Sequence, residues 1–466
     1  MVIGRSLRWP PTLVPVALGL AIFFRLAGMV VNGDANDNHM DVIEVMAYEH
    51  RIPADNELWE SFQPKLYHAT VAAILSPLPP LPLALQKRVA QFVTCIAGVA
   101  TLFVLLGFLR SLPLTERSRG VAFAVVALNP KMIATSIQAT NDAFVILFAT
   151  IALAAGHRFF RNFSSRAFAV MTVATLLACV SKGNGLVIAV AIACTFVVAL
   201  LRPPVSRHRI LGFAALMLVA FVATVPALGG YWSRYQQGKN PFAVNQDPAP
   251  PPHFIQETFD KRPGITSIVK GYLTFRLADM LVNPEVDMAD GSGAYPLHRT
   301  SFWSLLYGGA HSFHYEYDPE NWRSRNPVVL WLLRAIWVLA LIPTAMLAIG
   351  LLRGIRQVVN AAFGFVSGIK WNAEFLLAVT ALGYIGFAMA YGYRYRDYAT
   401  MKPIFLYPAM VPFIGYYAGE LERVTSRGRR LMGKLAYGSA TLLVAAYTTE
   451  AAILMGTLFL QRLHRI

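Results

Sequence analysis

The chain has 466 residues, of which 56% are hydrophobic and 14% are charged, and its net charge is +16. A soluble domain carries roughly 25% charged residues, so this composition excludes an ordinary soluble protein and indicates many membrane spans. The positive charge does not point to nucleic acid, because no basic patch is interleaved with aromatic residues and membrane proteins collect Lys and Arg in cytoplasmic loops. We expect an all-α polytopic membrane protein whose partners include the lipid bilayer and no nucleic acid.

Twelve apolar runs follow one another along the chain, and two of the polar stretches between them, 32–66 and 231–325, are long. The run at 69–85 contains four prolines between positions 77 and 82, and a membrane-crossing helix tolerates these poorly because proline removes a hydrogen-bond donor. If this run stays at the surface, eleven transmembrane helices are predicted. They are residues 13–31, 89–109, 120–137, 143–156, 167–180, 185–201, 210–229, 328–352, 373–391, 403–418 and 435–460.

With eleven spans, the loops sort by charge onto two sides of the membrane. The acidic first loop, 32–66, has 2 basic and 8 acidic residues, and 231–325 on the same side has 9 basic and 10 acidic residues. The loops of the other side carry 19 Lys or Arg and 3 Asp or Glu, so the positive-inside rule predicts that they face the cytoplasm. These basic segments are residues 1–8, 110–119, 157–166, 202–209, 353–370 and 420–434.

This topology divides the chain into three parts. Residues 1–230 form a transmembrane module with the first outer loop 32–66, residues 231–325 form a second outer loop, and residues 326–466 form the C-terminal helices. Residues 39–50 and 66–85 are predicted as juxtamembrane helices of the outer face, because apolar residues recur at helical spacing in the first of them and the second does not cross.

The outer segment Asn32-Gly-Asp-Ala-Asn-Asp-Asn-His39 follows the first span directly and could carry chemistry. A carboxylate at Asp34 or Asp37 could accept a proton from an attacking hydroxyl, or hold a divalent cation through oxygen ligands. The alternative is a polar loop that only ends a helix.

Three more outer segments carry polar residues at turns. Residues 59–68 could be interfacial aromatic anchoring, residues 138–142 could be a helix N-cap, and residues 181–185 could be a tight turn. Because all of them share one predicted membrane face with residues 32–39, a common site is the favoured interpretation. The segments are Trp59–His68, Gln138–Asp142 and Ser181–Gly185.

The fifth outer segment, residues 391–402, contains Arg394, Arg396 and Lys402 among aromatic residues. Cations of this kind suit a phosphate, and aromatics suit a sugar or a prenyl chain, although an interfacial turn is the alternative. Two weaker candidates remain: His311 with His314, whose spacing could suit a metal, and the intramembrane acid Glu450.

Taken together, these segments resemble the GT-C superfamily of membrane glycosyltransferases, in particular the branch that contains protein O-mannosyltransferases and lipid A aminoarabinose transferases. Members of this branch have an acidic pair after the first helix, a Pro-Pro-Leu-Tyr-Tyr-like element, two polar turns and a late lysine before a Tyr-Leu-Leu-Pro-like helix. The resemblance covers residues 1–230 and 390–418. The matching segments here are Asp37-Asn38 with His39, Gln63-Pro-Lys-Leu-Tyr-His68, Thr140-Asn-Asp142, Ser181-Lys-Gly183 and Lys402-Pro-Ile-Phe-Leu-Tyr-Pro408.

The chain also departs from the pattern of this branch. The acidic pair is Asp-Asn and not Asp-Glu, which weakens a metal role at this position. Lys65 replaces the second proline of the next element, and His68 replaces its second tyrosine.

The resemblance implies a glycosyltransferase that moves a sugar from a polyprenyl-phosphate-linked donor to a hydroxyl of a glycan, lipid or protein acceptor, with inversion. The expected catalytic base is Asp37, with Asp34 as its rival. A divalent cation is left open, and a nucleotide cofactor is not expected, because neither a Walker A motif nor a Rossmann fingerprint is present. The expected substrate-binding residues are Asn38, His39, Lys65, Tyr67, Asn141, Asp142, Lys182, Arg394, Arg396 and Lys402.

We expect a multi-pass protein of the bacterial inner membrane with its site on the outer face and the loop 231–325 on the acceptor side. Two alternatives remain open. One is a transporter or flippase of a lipid-linked glycan, which the many spans and Glu450 would suit. The other is a GT-C-like subunit that has lost catalysis, which the Asp-Asn departure would suit.

Overall fold

The computed structural model describes residues 13–32, 39–241, 268–282, 284, 301–312, 327–363, 373–395, 402–426 and 430–463. All regular elements in these ranges are helices. The first half of the described chain contains α1 Leu13–Val31, α2 Met40–Tyr48, α3 Leu66–Leu75, α4 Leu83–Ser111, α5 Glu116–Ala127, α6 Pro130–Thr135, α7 Asp142–Asn162, α8 Ser165–Ser181, the 3₁₀ turn Gly183–Gly185, α9 Leu186–Leu201 and α10 Arg207–Leu228.

The second half begins with short helices in the predicted outer loop and ends with long apolar ones. In order these are α11 Tyr231–Gln236, α12 Ile268–Leu273, α13 Leu277–Val282, α14 Phe302–Ala310, α15 Pro327–Phe363, α16 Glu374–Tyr395, the 3₁₀ helix Pro403–Ala409, α17 Met410–Ser426 and α18 Arg430–Leu463.

Within the described residues, eight helices are long and apolar enough to cross a membrane: α1, α4, α7, α9, α10, α15, α16 and α18. The three remaining predicted spans are present as shorter helices. These are α5 with α6, the 17-residue α8, and α17 with the 3₁₀ helix before it. The multi-pass class is therefore confirmed, while the count of eleven stays a prediction.

The predicted span at 120–137 is broken, and the sequence explains where. Helix α5 ends just before Asn129, which is the N-cap residue of a new helix, α6. The Asn129 side chain accepts a hydrogen bond from the amide of Met132 (3.0 Å), and Pro130 occupies the first turn of α6. At the end of α5, the Ala127 carbonyl accepts a hydrogen bond from Arg25 of α1 (3.0 Å). This buried arginine also donates to Ser136 (3.2 Å), so α1 holds both pieces of the broken helix together.

The proline-rich run at 69–85 does not form one helix. Its apolar start is α3, which has 10 residues and is too short to cross a bilayer. The four prolines fall in or just after the turn that joins α3 to α4. Helices α2 and α3 pack against each other and share a small apolar core that includes Ile43, Tyr67 and Val71.

The basic loops contact one another at one end of the helix bundle, and the acidic first loop lies at the other end, as the charge pattern predicts. At the end with the basic loops, Thr115 donates to Glu422 (2.7 Å), Arg209 donates to the Phe163 carbonyl (2.8 Å) and Arg353 is paired with Glu420. The acidic first loop and the starts of α7 and α9 lie at the opposite end. We call these the basic end and the site end.

Helix α7 lies near the centre of the bundle and α10 at its edge. In α7, 72% of the apolar window is buried inside the protein, against 17% in α10. Helix α7 packs against α4, α8 and the 3₁₀ helix Pro403–Ala409. The polar start of α7 is therefore brought to the middle of the site end.

Candidate active site

The structure describes most, but not all, of the residues that the sequence points to. Asp34, Asp37, Asn38 and Arg396 lie outside the described residues, as do His314 and its acidic neighbours. The backbone of Arg394 belongs to α16, but its side chain lies outside the described part. The proposed roles of these residues therefore remain predictions.

The segment that contains Asp34 and Asp37 is anchored at both of its ends. On one side, Gln91 of α4 donates to the backbone carbonyls of Asn32 (2.6 Å) and Ile137 (3.0 Å), which ties the end of α1 to the stretch before α7. On the other side, the ring of His39 contacts His68 of α3 through Nδ1 and Nε2, 3.0 Å apart. Both histidines are fully buried, and burial lowers the pKa of His68 well below 6.5, so that its ring is neutral at pH 7.

Tyr67 supports this histidine pair from inside the protein. It is fully buried, and its ring lies edge-on to His39 and to Phe144 of α7, with centroids 5.8 and 5.3 Å away. Its hydroxyl lies 3.4 Å from Thr94. The predicted contact of Tyr67 with substrate stays a prediction.

Lys65 lies at the turn before α3 and is mostly buried. Its ammonium group donates to the backbone carbonyls of Ser61 and Gln63, the latter at 2.9 Å. Burial lowers the pKa of Lys65 to about 8, although the nearby carboxylate of Asp55 acts in the opposite direction. Lys65 therefore fixes the shape of the first loop in this structure.

Asn141, the residue before α7, joins two of the predicted segments. Its side-chain amide is fully buried and donates to the Gln63 side chain (2.5 Å) and toward the Ser181 carbonyl (3.4 Å). Asn141 occupies the N-cap position of α7, but its side chain makes no capping hydrogen bond; the Thr140 hydroxyl, one residue earlier, accepts from the Asp142 amide (3.3 Å).

Asp142 and Lys182 form the charged pair at the centre of the site end. The Lys182 ammonium donates to Asp142 Oδ1 at 2.7 Å, and Thr140 donates to Oδ2 at 3.1 Å. The side chains are only 6% and 13% exposed, so the pair is poorly solvated and its two charges cancel. Because of this pairing, Lys182 adds no net positive charge for a phosphate unless Asp142 releases it.

The turn that carries Lys182 depends on a glycine. Residues 183–185 form one 3₁₀ turn between α8 and α9, and the Gly185 amide donates to the Lys182 carbonyl (2.9 Å). A Cβ atom at Gly185 would lie 2.3 Å from the Ala178 carbonyl, which real contacts do not allow, whereas one at Gly183 would meet nothing. The tight-turn interpretation of this segment is therefore correct, and the turn places Lys182 against α7.

A small pocket next to the charged pair brings together two lysines from distant parts of the chain. It is lined by Asp142, Gln138 and Thr135, by Lys131 of α6 and by Lys402 before the 3₁₀ helix. Lys131 is buried, and sequence reasoning missed it because it stands inside an apolar run. The available signal was the Asn-Pro-Lys sequence, since the helix break at Asn129 places Lys131 in the first turn of a short helix and not in mid-membrane.

Asn129 also fixes the position of Lys402 relative to Lys131. Its side chain donates to the Ala310 carbonyl at the end of α14 (2.7 Å) and accepts from the Tyr407 hydroxyl (3.1 Å). The Tyr407 ring belongs to the 3₁₀ helix that begins directly after Lys402. One amide therefore connects both lysine-bearing elements with the end of the second outer loop.

The weaker candidates occupy a separate buried cluster. His311 contacts the hydroxyl of Tyr447 through Nδ1 and that of Thr344 through Nε2 (3.4 Å), and burial lowers its pKa to about 4. Glu450 is fully buried one helical turn beyond Tyr447. Among the described residues, no group of three or more His, Cys, Asp and Glu is placed to hold a metal ion.

Direct contacts thus link the first four segments that the sequence singles out, and a shared pocket adds the fifth. The first contacts the second through His39 and His68, and the second contacts the third through Gln63 and Asn141. The third is paired with the fourth through Asp142 and Lys182. Lys402 of the fifth lines one pocket with Asp142, and the Lys182 ammonium lies 5.8 Å from the ring centre of Phe405, three residues after Lys402.

Comparisons with known proteins give distant structural likenesses. No protein-family model matches the chain, and no curated protein is significantly similar to it. The archaeal oligosaccharyltransferase AglB from Archaeoglobus fulgidus, in complex with an inhibitory peptide and a dolichol-phosphate, is 12% identical with a TM-score of 0.46. That alignment covers 94% of this chain and 55% of AglB, so the chain spans about half the length of that protein.

A second likeness is to ArnT from Cupriavidus metallidurans bound to undecaprenyl phosphate. It is 13% identical with a TM-score of 0.38, over 92% of this chain and 78% of ArnT. At such identities and TM-scores, neither likeness assigns an activity to this chain.

Proposed function

We propose that this chain is a GT-C-type glycosyltransferase that uses a polyprenyl-phosphate-linked sugar and works at the site end. The observation that carries the proposal is that contacts and one shared pocket link the five polar segments, which are distant in sequence and match the order of motifs in that superfamily.

Two lysines supply the charge for the leaving group. In a transfer from a lipid phosphate, negative charge grows on the phosphate as the bond to the sugar breaks, so cations placed there stabilise the transition state. Lys402 and Lys131 line one pocket together with Asp142, and Lys182 is paired with Asp142. We therefore assign the phosphate to Lys402 and Lys131, with Arg394 and Arg396 as further candidates and Lys182 as the residue that orients Asp142.

Asp37 is the proposed base, because it lies two residues before His39, whose ring is held by His68. Its carboxylate accepts the proton of the acceptor hydroxyl while the hydroxyl oxygen attacks the anomeric carbon. The bond from that carbon to the phosphate oxygen breaks in the same step, and the polyprenyl phosphate leaves with the electron pair. One displacement inverts the anomeric configuration.

The test is the release of polyprenyl phosphate from a panel of polyprenyl-phosphate sugars, followed by mass spectrometry, with a membrane extract as the source of acceptors. General bases contribute about 10²- to 10⁴-fold, so Asp37→Asn should lower release by that factor. Asp34→Asn tests the rival base, and Asp41→Asn in α2, at an exposed position, is the matched control that should leave release unchanged.

Lys131→Gln and Lys402→Gln should each lower the rate of release at saturating donor, while Lys434→Gln at the basic end should not. If the donor instead crosses the membrane with its mass unchanged, the protein is a transporter and not a glycosyltransferase. If wild-type protein consumes no donor and moves none, the chain is a non-catalytic subunit.

A further inference from the structure

A groove at the basic end of the molecule is unconnected with the proposed active site. It has a volume of about 600 Å³, within the range of roughly 300–1,000 Å³ that ligand-binding clefts occupy. It runs between the second halves of α4 and α7 and the start of α8. The lining residues are Val104, Gly107, Phe108, Ile151, Ala154, Ala155, Arg158, Asn162, Ser164, Arg166, Ala167 and Val170.

The floor of the groove exists because small residues meet there. Gly107 of α4 faces open space, since a Cβ atom at this position would meet no atom within 4 Å. Ala154 and Ala167 leave similar room on α7 and α8. The groove is therefore lined mainly by apolar side chains of α4, α7 and α8, and such a lining suits an alkyl chain.

The mouth of the groove is cationic. Arg158 near the end of α7 and Arg166 at the start of α8 are both exposed, and neither is ion-paired to a residue that the structure describes. Ser164 precedes α8 without capping it through its side chain. The first-turn amides of α8 therefore add partial positive charge to that of the two arginines.

The position of the mouth matches the depth of a lipid headgroup. Arg158 follows Asp142 by 16 residues on α7, which places it about 24 Å further along the helix axis. A bilayer hydrocarbon core is about 30 Å thick, so the mouth lies near the membrane surface opposite to the site end. The donor phosphate of the proposed reaction belongs at the other surface.

We propose that this groove binds one anionic glycerophospholipid, with its phosphate between Arg158 and Arg166 and one acyl chain along Gly107, Ala154 and Ala167. Charge complementarity selects this occupant over a zwitterionic lipid, because the mouth carries two arginines and no acidic residue among its lining. The site does not depend on the glycosyltransferase proposal.

The first experiment measures the retained lipid. Delipidated full-length protein in detergent is titrated with phosphatidylglycerol or phosphatidylcholine, and bound lipid is counted by native mass spectrometry. One phosphatidylglycerol should bind per chain, and the double variant Arg158→Gln/Arg166→Gln should weaken binding about thirtyfold, as expected for the loss of two surface arginines. The double variant Arg202→Gln/Arg207→Gln, at the same end but outside the groove, is the matched control.

The second experiment maps the position of the lipid's acyl chain in the wild-type protein, so its main result does not require that any variant folds. Phosphatidylglycerol with a photoreactive acyl chain should cross-link to residues 104–108 and 151–155, and Gly107→Leu should abolish these products. Equal affinity in the two arginine double variants, equal affinity for phosphatidylcholine, or cross-links spread evenly over all helices would overturn the proposal. So would a stoichiometric protein subunit that occupies the groove in purified material.

Discussion

For Asp142 and Lys182, the sequence predicts the location in the molecule but not the ion pair that they form. The sequence places both at one membrane face, but it does not show that they neutralise each other. In the structure they are 2.7 Å apart and nearly inaccessible to solvent. Removing one partner of a buried pair leaves the other charge without compensation, which costs more than the pair itself contributes.

We therefore expect Asp142→Asn to reduce stability by about 3 kcal/mol, within the range typical of broken buried pairs. The double variant Asp142→Asn/Lys182→Gln should recover much of this loss, because no buried charge remains. Unfolding of the three proteins in the same detergent measures the coupling. Additive losses in the double variant would show that the two side chains do not depend on each other.

The sequence predicts which segments form the candidate site. It does not predict which side chains of these segments contact one another. Polar residues at turns are visible in an apolar sequence, and the shared predicted membrane face of His39, Asn141, Lys182 and Lys402 favoured a common site. Lys131 was missed because hydropathy gives no separate signal for one lysine inside an apolar run. Its surroundings depend on a helix break whose effect is only seen in three dimensions.

At the scale of elements, the turn between α8 and α9 is tightly constrained by one glycine. Gly185 approaches the backbone of α8 so closely that any side chain requires the turn to move. We expect Gly185→Ala to lower stability by about 1–3 kcal/mol, in the range for overpacked sites, and to slow donor consumption because Lys182 moves with the turn.

Gly183→Ala is the matched control, since it lies in the same turn and its Cβ atom would enter open space. Thermal unfolding and donor release are measured for both variants. If both alanines have the same effect, the close contact at position 185 does not determine the position of Lys182.

Long apolar helices were predicted correctly, and the interrupted ones were not. Hydropathy locates α4 and α10 because an unbroken run of about 20 apolar residues has the length of a helix that crosses the bilayer core. The run at 120–137 looks equally apolar, but Asn129 and Pro130 divide it, and Arg25 from another helix donates to the end of the first piece. A partner of this kind is supplied by tertiary structure and leaves no local signal.

For the whole molecule, the separation of the two ends gives a direct test of orientation. Asn56 is exposed in the first loop at the site end, and Ser206 is exposed between α9 and α10 at the basic end. In a background without the native cysteines, we expect Asn56→Cys to react with a membrane-impermeant maleimide in intact cells. Ser206→Cys should react only after permeabilisation, as the positive-inside rule requires. The reverse pattern would place the site end in the cytoplasm.

The pairing of Asp142 with Lys182 has a consequence for how the chain is made. The two residues stand at the open end of one helical hairpin, α7 with α8, and only 40 residues separate them in the sequence. At translation rates of roughly 5–20 residues per second, the ribosome adds the lysine about 2–8 s after the aspartate. The hairpin can therefore leave the translocon with its charges already matched, before any later helix exists. On this view, biogenesis favours the entry of α7 and α8 into the bilayer as one unit.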